Sequence, residues 1–188
     1  MVAAPMSDWR RVAAPVAATL ALGYLVAMVV SGAQPVQHQF VEFEAKGVLK
    51  TPPEQIRRIE LVRADKSVSV LRRGENGWVT PAGAELDAAE SKRISMAVQM
   101  MHNSGPAREI PPGELNGADP AVFGLDAPRI TASFYESGAD PILTVRFGER
   151  NPDGFLQYMR IDRDNHLYLM SRFIGEAWTA VLDGGPQR

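Results

Sequence analysis

Three histidines, 22 acidic residues and no cysteine bound the chemistry open to this 188-residue chain. A metal centre needs ligands that the fold can bring to one point, and H-x-x-x-H is the spacing that one helix turn supplies. His38, His102 and His166 share no such spacing. His102 falls at the end of an expected helix, where an imidazolium is a favourable dipole partner. Asp162-Arg163-Asp164-Asn165 resembles the start of a calcium loop. It lacks the following glycine and the distal bidentate glutamate, so it reads as a hairpin turn. The serines lie in no G-x-S-x-G or S-x-x-K pattern, and no G-x-x-x-x-G-K cradles a phosphate. Without cysteine there is no thiol nucleophile, thiolate metal site or disulfide. No spacing marks a pair among the carboxylates. The expectation is a protein that is not an enzyme, with no catalytic, cofactor-binding or metal-binding residue.

Charge excludes two further classes. The chain has 20 basic and 22 acidic side chains, a net charge of −2. It has no basic face for nucleic acid and no polybasic tail for anionic lipid.

What remains is position. Val12–Val30 is the one long apolar run, and it holds no charge. About 20 residues at 1.5 Å rise cross a hydrocarbon core of ~30 Å. The expected organisation is a cytoplasmic tail over 1–11, a transmembrane helix over 12–31, a stalk over 32–53 and a globular domain over 54–185. Arg10 and Arg11 abut the span, with Trp9 as an interfacial aromatic, and no Lys or Arg follows until Lys46. The positive-inside rule then leaves the N-terminus in the cytoplasm. The Ala- and Val-rich span suggests a bacterial inner membrane and a periplasmic domain. Ser31-Gly32-Ala33 offers the alternative of a signal peptide cut after Ala33, but the apolar run exceeds the usual ~7–15 residue signal core. Ala13, Ala17 and Ala21 repeat at four-residue spacing, as do Gly23, Ala27 and Ser31. Such rows let membrane helices approach closely.

The globular part reads as α+β: an antiparallel meander with one main helix packed on the sheet. Residues 57–63 alternate in polarity, residues 67–72 return, and Gly74–Gly77 turns the chain into a short strand through Trp78 and Val79. Trp78 is expected to be a buried anchor of the sheet–helix core. Asp87 and Glu90 form the capping-box pattern of a helix whose apolar face is Ile94, Ala97, Val98 and Met101. Met96, Met100 and Met101 are expected to fill gaps beneath the sheet. Residues 107–119 read as loop, and 120–123 as one helical turn. Four strands follow, over 130–136, 142–147, 155–161 and 167–170. A last short helix over 173–182 packs Trp178.

The succession is Gly77-Trp78-Val79, a helix opened by Asp87, Phe123-Gly124-Leu125-Asp126-Ala127-Pro128, Leu143–Gly148 and a Tyr-Met-Arg to Leu-Tyr-Leu hairpin. This order resembles the uncharacterised bacterial family called domain of unknown function 4340, over roughly residues 55–183. The resemblance implies a periplasmic domain behind one membrane span. Some members of that family occur in auxiliary subunits of gliding-motility-type ABC exporters. The family has no established catalytic residues, so none is carried over. This chain departs from it in having a single copy of the domain and no transporter half.

The Gly-Leu-Asp-x-Pro element also has a local reading. Gly124 takes a positive φ, Asp126 bonds its own backbone as an Asx-turn, and Pro128 hands the chain to the next strand. The expected function is a non-catalytic accessory subunit that docks on the periplasmic side of a larger inner-membrane complex. Its expected partners are the bilayer and other integral or periplasmic subunits. The alternatives are a substrate-handling module of an ABC exporter and a periplasmic hydrolase.

Overall fold

The computed structural model describes residues 8–32 and 44–184, which fall in two units divided between Phe43 and Glu44. The expected cleavage point after Ala33, His38 and most of the expected stalk lie outside the described residues.

The first unit is a helix, α1, over Asp8–Gly32. It starts ahead of the expected span, so the backbone of Trp9, Arg10 and Arg11 is helical. Pro15 consequently lies in the helix interior and not in its first turn, and it removes the donor that would reach the Arg11 carbonyl. Within α1, Ala13–Ser31 is long and apolar enough to cross a membrane, and none of it is covered by protein. A signal sequence has the same character. Ala13, Ala17, Ala21, Gly23 and Ala27 are all exposed.

The second unit holds an eight-stranded antiparallel sheet and two helices. Its elements are β1 Arg58–Arg63, β2 Val68–Arg73, β3 Trp78–Val79, α2 Ala88–Asn103, β4 Arg108–Ile110, β5 Ile130–Tyr135, β6 Leu143–Arg150, β7 Leu156–Ile161, β8 Leu167–Ser171 and α3 Arg172–Gly184. The sheet order is β3-β2-β1-β5-β6-β7-β8-β4. Two local meanders are therefore joined edge to edge by β1 and β5, with Ile59 opposite Phe134 and Leu61 opposite Ala132. The class is α+β.

Period-two alternation sends Ile59 and Leu61, Ala132 and Phe134, and Val145 and Phe147 to one face, where each is buried. The helices cover that face. Asp87 accepts from the Glu90 amide at 2.7 Å and Glu90 accepts from the Asp87 amide at 3.3 Å, closing the capping box of α2. The buried face of α2 is Ile94, Ala97, Val98 and Met101. Along α3, Ile174, Trp178, Val181 and Leu182 are buried, and Trp178 meets Phe134 edge-on at 5.3 Å between ring centroids.

Three expectations are corrected. The stalk does not extend to residue 53. Leu49 is 1% exposed, and the Gly47 and Leu49 amides bond the carbonyls of His102 and Met101, so this stretch seals the end of α2. Residues 108–110 are a strand and not loop, paired with β8 from Arg108–Leu169 to Ile110–Leu167. Met96 is 55% exposed, while Met101 is in the core.

Candidate functional site

β4 lies at one end of the sheet and β5 near its middle, so the chain between them must cross back over β8, β7 and β6. The crossing runs on the face away from the helices. Prolines start its two tight turns, Pro112–Glu114 and Pro120–Phe123, where a missing N–H costs nothing. Asp119 caps the second turn by accepting from the Ala121 amide at 3.0 Å. Gly124 ends it with φ 67°.

The crossing is seated by two glycines. β6 carries a register shift between Phe147 and Arg150. At that bulge a side chain on Gly148 would strike the Phe123 carbonyl and Leu125, and one on Gly124 would strike Glu149. Phe123 then stacks edge-on against Tyr158 at 4.9 Å. Leu125 is 5% exposed and belongs to this second, smaller apolar layer. Phe123-Gly124-Leu125 and Phe147-Gly148, far apart in sequence, thus meet in one contact. Arg129 clasps it from outside through both Glu149 carboxylate oxygens, at 3.2 and 3.0 Å.

Beside that contact the crossing stands off the sheet. It leaves a half-open cleft of about 280 Å³ against the end of the β7–β8 hairpin. Leu115, Pro120, Phe123, Leu125 and Leu167 supply apolar walls, and Arg160, Asn165 and His166 supply the polar ones. A few polar groups on an apolar concavity is the general form of a binding site.

The hairpin turn behind the cleft is built on Asp164. Its carboxylate accepts from the Tyr168 hydroxyl, from the His166 amide at 2.9 Å and from His166 Nδ1 at 2.7 Å. Those donors, Tyr168 foremost, hold the Asp164 carboxyl down to about 2. Burial, and then the Asp164 carboxylate, push the Tyr168 phenol well above its ordinary range. With Nδ1 committed to Asp164, His166 turns Nε2 toward Glu109 at 3.8 Å. An Asp–His pair can activate a side-chain nucleophile only where one lies in reach. Among the described residues no serine, threonine or tyrosine hydroxyl bonds Nε2. The pair's visible role is to fix the turn, where Arg163 takes φ 68°.

The residues singled out from sequence are scattered. His102 Nδ1 donates to the Leu49 carbonyl at 2.9 Å, remote in role from His166. Trp78 is 1% exposed at the β3 edge. Asp126 is exposed, and among the described residues its carboxylate makes no hydrogen bond. The Asx-turn expected there is replaced by backbone bonds from Gly124 to Ala121 and from Leu125 to Pro120. Pro128 is half-buried just ahead of β5. Sequence reasoning weighed His166 only as a metal ligand and read Asp162–Asn165 only as a hairpin turn, and it missed Tyr168 and Arg160 and the contact of Asp164 with His166 and Tyr168. The alternation Asp164-x-His166-x-Tyr168 was the available signal, since such residues share one side of an extended chain.

No protein-family model, no curated protein and no solved structure matches this chain.

Proposed function

We propose that the chain is a single-pass, non-catalytic accessory subunit of a bacterial inner-membrane complex. The observation that carries this reading is the 19-residue apolar stretch Ala13–Ser31, wholly uncovered, in one chain with a globular unit of its own core. Arg10 and Arg11 beside that stretch support a cytoplasmic N-terminus and a periplasmic globular unit. The rows Ala13-Ala17-Ala21 and Gly23-Ala27-Ser31 suit packing against other spans. The Asp164, His166 and Tyr168 side chains at the candidate site are absorbed in turn-building contacts, which favours docking over chemistry. Purification of the tagged full chain in mild detergent tests this. Stoichiometric co-purifying subunits are expected, and a lone monomer across several detergents would overturn the reading.

A further inference from the structure

Arg160 is a cation without a counter-charge. Its neighbour across the β6–β7 pairing is Arg146, whose guanidinium is held by Asp162 at 2.9 Å. Nearby arginines are likewise engaged: Arg108 with Glu114, Arg129 with Glu149 and Arg150 with Glu176. Among the described residues the Arg160 guanidinium makes no ion pair and no hydrogen bond. It is half-buried in the cleft wall, facing the apolar surface of Leu115, Phe123 and Leu167. A guanidinium carries five donors in a fork that matches a carboxylate, and it gains most where apolar walls exclude water.

We propose that this cleft takes the C-terminal residue of a partner polypeptide, with its carboxylate on Arg160 and its apolar side chain against Phe123, Leu115 and Leu167. A volume of about 280 Å³ holds one residue rather than an extended segment. A terminal residue carries its carboxylate and its side chain on the same Cα, so both reach one small cleft. An internal Asp or Glu does not, because in an extended chain the adjacent apolar side chain points the other way. Capture of a chain terminus is an established mode of peptide recognition. The inference takes from the accessory-subunit reading only that the ligand belongs to another subunit.

The test uses the full chain in lipid nanodiscs and a dye-labelled hexapeptide ending in leucine, followed by fluorescence anisotropy. The free-carboxylate peptide is expected to bind at least ten-fold more tightly than its C-terminal amide. Arg160→Gln is expected to lose at least ten-fold, and Arg163→Gln, in the adjacent turn, is expected to bind as wild type. Equal binding of the amide, unchanged binding by Arg160→Gln or no peptide binding would each overturn the inference. Displacement by 4-methylpentanoate at the peptide's own concentration would overturn the polypeptide assignment, since the small carboxylate would then suffice. Peptide failure with co-purifying subunits intact sinks this inference alone. Peptide binding without any co-purifying subunit supports it and sinks the accessory-subunit reading.

Discussion

Trp78 Nε1 donates to Ser95 Oγ at 3.1 Å, and the Trp78 amide donates to Ser91 Oγ at 2.7 Å. One residue of the shortest strand is therefore bonded twice to successive turns of α2, and its ring is 1% exposed. The Arg73 guanidinium covers the ring from the neighbouring strand at 4.6 Å. Trp78→Ala is expected to cost ~3–5 kcal/mol, lowering the melting temperature by on the order of 10 °C. Ser95→Ala removes one buried partner and is expected to cost ~1–2 kcal/mol. Thermal melts of both variants decide the point. A Trp78→Ala melt within ~2 °C of wild type would show that the indole is not an anchor.

The glycine contact under the crossing gives a second test. Gly124→Ala meets two obstacles, the left-handed φ and the Glu149 backbone, so a loss of ~2–3 kcal/mol is expected. Gly117, at φ 74°, has open space around it, so Gly117→Ala incurs only the backbone term of ~1 kcal/mol. Urea midpoints separate them. Equal losses at the two positions would mean that the close approach to β6 contributes nothing.

Much of this architecture is legible locally. The capping box at Asp87, the apolar face of α2 and the two meanders all depend on residues within one turn or hairpin of each other. β4 is not legible, because Arg-Glu-Ile has no alternation of its own and is a strand only through pairing with β8. Leu49 is missed for the same reason: its burial depends on the end of α2, some fifty residues on. The cleft was invisible because residues 112–125 and 160–167 form its walls only after the crossing is laid down. Gly124 was read as a turn residue, which it is. That it also faces Glu149 is a tertiary fact.

Acid should erase the contribution of Asp164. Its folded value, about 2, is below the ordinary value of 3.8, so the carboxylate stabilises the fold above pH ~4 and this is lost as pH falls toward 2. Asp164→Asn is expected to cost ~1–2 kcal/mol at pH 7, partial solvent exposure holding the figure down. The gap between variant and wild type should close between about pH 4 and pH 2. Urea unfolding across that range measures it, and a gap independent of pH would show that geometry, not charge, holds the turn.

The proposed orientation rests on two side chains. A periplasm-active phosphatase fused to the C-terminus is expected to be active, and a fluorescent protein fused there to be dark. Arg10→Glu with Arg11→Glu should scramble that pattern, because these are the basic side chains beside the apolar stretch. An unchanged pattern would overturn the charge argument.

The sheet begins with Trp78–Val79 and ends with Arg108–Ile110, two residues on one flank and three on the other, against five to eight in every strand between. The terminal strands are thus short edges, with Val68–Leu71 of β2 lying beyond the end of β3, and the Arg108 and Glu109 side chains add charge to the opposite rim. Strand addition, the common route by which sheets recruit foreign peptides or polymerise with their own copies, finds only short templates here. A domain held at high local density, as the proposed membrane anchor would hold it, gains from this. Its encounters are left to side chains, and its copies have little means of zipping into fibres.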